Sequence, residues 1–238
     1  MRILITNDDS VNASQLLPLI KWCQKFGEVT TIVPLEQQSG KSHGIEIFNP
    51  FEVRKVILDS ETTVIAVDST PADCVRYAVL GLEQKFDLVI SGINRGLNIG
   101  TDTLYSGTVA AVQEAAILGI PAVAVSSDLE NYDTVIEHLD RVLDFVLKNK
   151  LLEKHSLYNI NIPSNPKEIL ITRLGGSYYS DSFKDVGDGR VVACGKCVFE
   201  DSGNLELDTD ATMSGYISIT PMTIDLTDMD VFKKLKGK

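Results

Sequence analysis

Asn7-Asp8-Asp9 follows directly on the apolar run Ile3-Leu4-Ile5-Thr6. Two adjacent carboxylates at the end of a buried strand repel each other and are poorly solvated, so they call for a compensating positive charge. A single Asp would serve as a helix cap or in an Asx turn; the second adds repulsion without adding a cap. Carboxylate oxygens suit a hard divalent cation, Mg²⁺ or Mn²⁺.

Two more polar clusters follow apolar runs. The first, "VPLEQQSGKSHG", holds Ser39, Gly40, Ser42 and His43. By itself it reads as a polar loop, and His43 becomes an acid/base candidate only if it lies beside the Asp pair. The second, "VISGINRGLNIGTDTLYSGTVAAVQEAA", runs from a strand through Gly92, Gly96, Gly100 and Gly107 straight into a helix at Thr108. Glycines let a backbone approach a ligand closely. Asn94 and Asn98 can offer amide oxygens to a metal or NH₂ groups to an oxyanion. The helix start Ser106-Gly107-Thr108 presents unpaired N–H groups and the positive end of a helix dipole, a ready anion site. No GxxxxGK[ST] is present and "GINRGLNIG" is not GxGxxG, which disfavours a nucleotide triphosphatase or a dinucleotide dehydrogenase.

The elements that must position these clusters alternate in type. "RILIT", "VTTIVP", "TVIAV", "DLVIS", "PAVAVS" and "LYNINIP" read as strands, and "GIEIFNPFEVRKVI" alternates like a hairpin. Between them, Leu16, Leu19, Ile20 and Cys23 keep helical spacing ahead of Gly27, Pro71 opens a second helix, "TVAAVQEAAILG" is a third, and Val135, Leu139, Val142, Leu143 and Val146 mark an amphipathic fourth. Strand–helix alternation with nearly continuous apolar strands predicts a Rossmann-like, three-layer α/β core over residues 1–162, its sheet mostly parallel and covered on both faces. In such sheets ligands bind at the carboxyl ends of the strands. Residues 163–238, rich in Gly, Asp, Thr and Tyr, read as an appended β-rich extension with hairpins rather than a domain with its own core.

The 238-residue chain is 44% hydrophobic and 23% charged, the composition of an ordinary soluble protein. Its net charge of −11 argues against binding nucleic-acid duplex or an anionic membrane. No transmembrane window and no signal peptide is read, so the expected location is the cytoplasm. Cys194 and Cys197 have the CxxC spacing, but Cys23 and Cys74 are isolated and no second pair completes a zinc knuckle. All four are read as reduced structural thiols.

Taken in order, "RILITNDDS", "VPLEQQSG", "DSTPADCV", "DLVISGINRGLNIGTDTLYSGTVAAVQEAAILGIPAVAVS", "NINIP" and "GYISITP" resemble the signature segments of the SurE (survival protein E) family, over almost the whole chain. The resemblance implies a metal-dependent phosphatase of nucleoside monophosphates, a 5′-nucleotidase with 3′-nucleotidase and exopolyphosphatase activity as further possibilities. It implies one divalent ion per subunit, Mg²⁺ or Mn²⁺, held by Asp8, Asp9, Ser39 and Asn94. It implies a phosphate pocket at Ser106, Gly107 and Thr108, with Asn7, Gly40 and Asn98 on the substrate side. His43 stands where the family commonly carries His or Asn and is the acid/base candidate. A homodimer or homotetramer, joined through the extension, is the implied assembly. The family usually continues NDDG with a stretch containing His-Ala-Pro-Gly, whereas here Ser10-Val11-Asn12-Ala13-Ser14-Gln15 follows Asp9. That segment supports the rival from another class, a non-catalytic nucleotide-binding or regulatory module with a degraded site. The rival within hydrolases, an aspartyl-phosphate mechanism, usually needs DxD spacing, which the adjacent Asp8-Asp9 lacks.

Overall fold

A computed structural model describes residues 1–128 and 132–237. The first strand, β1 (Arg2–Thr6), is buried on both sides. Ile3 and Ile5 enter one core and Leu4 the other, as the two-residue side-chain period of a strand requires. After α1 (Leu16–Cys23) and β2 (Glu28–Pro34) come β3 (Val53–Ile57), β4 (Thr63–Val67), α2 (Pro71–Arg76) and β5 (Leu88–Arg95). Then follow α3 (Gly107–Ile117), β6 (Ala122–Ser127), α4 (Tyr132–Lys148), the single turn α5 (Leu151–Lys154) and β7 (Leu157–Ile162).

The nine-stranded sheet has the order β3-β4-β2-β1-β5-β6-β7-β11-β8, where β8 is Ile169–Ile171 and β11 is Ile217–Pro221. From β2 through β7 the neighbours run parallel, with Ile3 beside Val29 on one side and Ile5 beside Ile90 on the other. The chain moves from β1 to β2 in one direction and returns to β5 on the opposite side. The order therefore reverses between β1 and β5, which makes their carboxyl ends the topological switch point. Side chains of α1 and α4 share one apolar core, those of α2 and α3 the other, giving the three layers.

Two readings need correction. The hairpin expected across Gly44–Ile57 does not form; only Val53–Ile57 is strand, and its antiparallel partner is β4. The stretch before it is an irregular loop because the Glu46 carboxylate accepts the Phe48 and Asn49 N–H groups and its own N–H donates to Asp73. Those backbone groups are thereby taken from any ladder. Nor is all of the extension appended. β11 pairs antiparallel with β7, β8 pairs parallel with β11, and Ile217 and Ile219 lie in the α1–α4 core. A helix, α6 (Asp208–Met213), precedes β11. What does project is the hairpin β9 (Tyr179–Gly187) and β10 (Arg190–Cys197), a separate two-stranded sheet exposed along nearly all its length. Cys194 and Cys197 sit on it, exposed, whereas Cys23 and Cys74 are buried. A last helix, α7 (Met229–Leu235), is also exposed. Among the described residues no helix is long and apolar enough to cross a membrane.

Candidate active site

Asp8 and Asp9 emerge from β1 at the switch point. Asp8 is 4% exposed, and its Oδ1 accepts from the Thr108 hydroxyl at 2.5 Å. Burial pushes its carboxyl up to about 6; the Thr108 hydrogen bond opposes this and the neighbouring charge of Asp9 adds to it. Asp9 Oδ2 accepts from Gln15 Nε2 at 2.6 Å and from the Arg95 backbone N–H at 3.0 Å. Burial raises its carboxyl too, against those two donors and the Arg95 charge. Among the described residues neither carboxylate is in an ion pair. Beside them Asn7 donates to Ser10 O at 2.9 Å, while its own Oδ1 is buried with no hydrogen-bond partner.

The start of α3 abuts this pair. Ser106 caps the helix by accepting from the Val109 N–H at 3.1 Å. A Cβ built on Gly107 would come within 3.0 Å of Asp8 Cβ and 3.2 Å of its Oδ2, so a side chain there would crowd the carboxylate. The first N–H groups of a helix have no intrahelical acceptor, and at Gly107 and Thr108 they lie next to Asp8.

The strand β5 delivers Asn94. Its pairing with β6 shifts register between Ser91 and Asn94. Gly92 sits in the shift at φ +144°, where any Cβ would collide with the Val125 carbonyl. Irregularities of this kind re-aim side chains near sites. Asn94 Nδ2 donates to Gly96 O at 2.8 Å, which fixes the amide orientation and leaves Oδ1 as the end for a ligand. The Ser39 segment is brought up by the Gln38 N–H, which donates to Asp8 O at 2.8 Å. Ser39 is exposed and its Oγ accepts from Gln37; Gly40, at φ +72°, turns the loop in open space. Ser42 ties the same loop to the segment before α3, through Leu104 O at 2.6 Å and Tyr105 O at 3.1 Å.

Two predicted residues are engaged elsewhere. His43 Nε2 is 2.8 Å from Glu114 Oε2, and Glu114 also accepts from Arg76 at 3.1 Å. Glu114 lies seven residues into α3 from Gly107, about 10 Å along the axis at 1.5 Å per residue. Asn98 Nδ2 donates to Ser126 Oγ at 2.8 Å, its N–H donates to Asn161 Oδ1, and its carbonyl accepts from both Asn159 and Asn161. Asn98 thus anchors the glycine loop. The supporting residues escaped the sequence reading: Asn159 and Asn161, two polar side chains on the buried strand β7, were a visible signal, whereas nothing in the sequence pointed to Gln15 or Glu114.

The donor set fits a hard divalent cation. It has one buried carboxylate (Asp8), one half-buried carboxylate (Asp9) and neutral oxygens, and among the described residues no group of three or more His, Cys, Asp or Glu could hold a metal. Such oxygens favour Mg²⁺- or Mn²⁺-type ions that keep several waters. The family model described as survival protein SurE matches residues 3–181. The chain belongs to the SurE family. It is 39% identical to the protein named 5′-nucleotidase SurE of Thermoanaerobacter pseudethanolicus, an alignment that covers 100% of this chain and 98% of that one. The 5′-nucleotidase SurE of Thermosipho melanesiensis is 38% identical, with 100% and 97% covered. The crystal structure of the SurE protein from Aquifex aeolicus matches at a TM-score of 0.79 and 31% identity, covering 100% of this chain and 99% of that one. The SurE assignment thus extends through both the Rossmann-like core and the β-rich extension.

Proposed function

We propose that this SurE chain is a metal-dependent 5′-nucleotidase that hydrolyses nucleoside monophosphates to nucleoside and phosphate. The observation that carries the reading is the contact of Asp8 with both Gly107 and Thr108. A site for a cation and a site for an anion share one wall, which is what a metal–phosphate pair needs. Asp8, Asp9, Ser39 Oγ and Asn94 Oδ1 would hold the ion. Once bound, it would polarise a phosphoryl oxygen and lower the pKa of a coordinated water.

The rest is work for the chain's own groups. The N–H groups at Gly107 and Thr108, with the α3 dipole, stabilise charge on the phosphoryl oxygens. Asn98, held by Ser126, Asn159 and Asn161, keeps the glycine loop in one conformation around them. Asn7, with a buried and unpartnered Oδ1, and Gly40, in an open turn, complete the substrate side. His43 remains the acid/base candidate only if it leaves Glu114 when substrate binds. Nothing favours the non-catalytic alternative, because the Ser10–Gln15 segment folds back onto Asp9 instead of leaving it. The test is a panel of 5′- and 3′-nucleoside monophosphates and polyphosphate, crossed with Mg²⁺ and Mn²⁺. Phosphate release from 5′-monophosphates, abolished by EDTA and restored by metal, is expected; full activity after exhaustive chelation would refute it.

A further inference from the structure

Gln15 stands immediately before α1 with helical backbone angles, φ −78° and ψ −12°, yet its side chain makes no capping bond to that helix. Residues at this position usually spend a side-chain oxygen on the first N–H groups of the helix. Here the side chain is instead aimed at Asp9. It is 3% exposed, and its Nε2 lies 2.6 Å from Asp9 Oδ2. Its Oε1 accepts from the Ser14 hydroxyl at 3.4 Å, which sets the amide with the NH₂ end toward the carboxylate. The backbone is also fixed, because the Gln15 carbonyl accepts from the Leu19 N–H. A second donor, the Arg95 N–H, meets the same Oδ2 at 3.0 Å.

Two donors on one oxygen, coming from two separate elements, leave the carboxylate a single orientation. They also leave Oδ1 as the oxygen free for a cation. The donor on the side-chain arm is uncharged, so it orients the carboxylate without supplying a positive charge that would compete with a metal ion. A Lys at that distance would form an ion pair and neutralise the ligand.

We infer that Gln15 is a positioning residue for the metal site: it holds Asp9 in one rotamer before the cation arrives, so that the ion meets a ligand already in place. The inference rests on the metal-dependent reading above. Groups that orient metal ligands from outside typically contribute 10–100-fold in metal affinity.

The experiment is Mn²⁺ binding to the purified, metal-free full chain, read from the spin-resonance signal of free Mn²⁺, for wild type, Gln15→Met and Gln15→Ala. Met keeps the unbranched length and the burial while removing both polar ends. Both variants are expected to bind Mn²⁺ about 10–100-fold more weakly, with kcat at saturating Mn²⁺ recovering to within about threefold of wild type. Unchanged Mn²⁺ affinity in Gln15→Met would overturn the inference. So would a kcat loss that saturating metal does not repair, or failure of both variants to fold in EDTA where wild type folds, since the amide would then serve the fold rather than Asp9. Absence of Mn²⁺ binding by wild type would overturn the metal-dependent function instead.

Discussion

The Thr108 hydroxyl donates to Asp8 Oδ1 at 2.5 Å, joining the carboxyl end of β1 to the first turn of α3 across 100 residues of chain. Both partners are buried. The bond does two things: it satisfies a desolvated carboxylate, and it holds the helix N-terminus against the proposed cation site. Thr108→Val keeps the shape and removes the hydroxyl. It should cost about 1.5–3 kcal/mol of metal-free stability, the range for hydrogen bonds to charged groups, and lower activity as well. Urea unfolding in EDTA measures the first; a loss under about 0.5 kcal/mol would mean the carboxyl is held protonated and needs little support.

Asp8→Asn and Asp9→Asn each remove one negative charge without changing size. Each should reduce metal affinity or turnover by at least about 10–100-fold, since a direct ligand matters no less than an outer one. Two close carboxylates also disfavour each other's ionisation, so both variants should be as stable as wild type, or more so, in EDTA. Wild type should then gain strongly in thermal midpoint on adding Mn²⁺, by mass action. Equal metal-induced shifts in all three proteins, with activity retained, would place the metal elsewhere.

Gly107→Ala probes the shared wall. The added methyl would meet Asp8 Cβ at 3.0 Å and Pro71 Cγ at 3.2 Å, so the carboxylate or the helix start must give way by a few tenths of an ångström. Misplacement on this scale is expected to lower kcat/KM about tenfold or more, because rates fall steeply with small errors in positioning. Steady-state kinetics at saturating Mn²⁺ is the measurement; wild-type kinetics would show that the wall is not used.

We propose that the homo-oligomer implied by the family resemblance is joined through the β9–β10 hairpin, so deleting residues 179–197 should leave a monomer. The hairpin presents Phe183, Val186, Val191 and Val192 to solvent, each between 47% and 72% exposed, and exposed apolar strands invite a second chain. The sheet, by contrast, does not include β9 or β10. Light scattering coupled to size exclusion reports the mass. A soluble, active dimer after the deletion would put the interface elsewhere.

Asp208 links the glycine loop to the extension. It is fully buried, with its carboxylate accepting from the Gly100 and Gly175 N–H groups. Burial raises its carboxyl above the ordinary value, against those donors. The folded state therefore keeps the proton to higher pH than the unfolded chain does. In that interval the unfolded chain binds fewer protons, so this group's contribution to stability falls as pH rises from about 4 through the raised folded value. Asp208→Asn lacks this titration and leaves one backbone N–H facing an NH₂ group. It should be destabilised by about 1–3 kcal/mol, with the gap to wild type wider near pH 4 than near pH 7. Denaturant melts across that range decide it; a gap that widens toward pH 7 would reverse the sign of the shift.

Much of this molecule was legible as a string. Ile3-Leu4-Ile5 and Val123-Ala124-Val125 read as strands because a parallel sheet covered on both faces leaves continuous apolar runs, and the Val135–Val146 stripe carries the 3.6-residue period of a helix with one buried face. The Asp8-Asp9 pair and the helix start at Ser106-Gly107-Thr108 were equally readable, since a charge conflict and a helix start are local events. Tertiary structure alone decided the rest. That β11 enters the sheet beside β7, running antiparallel, depends on a pairing between distant segments that neither announces. Gln15 reaches Asp9, His43 turns to Glu114, and Asn159 and Asn161 clasp Asn98 only once separate elements are packed. Such contacts share no common period along the chain; they follow from where the layers place each side chain, and hydrogen bonds are made by proximity in space.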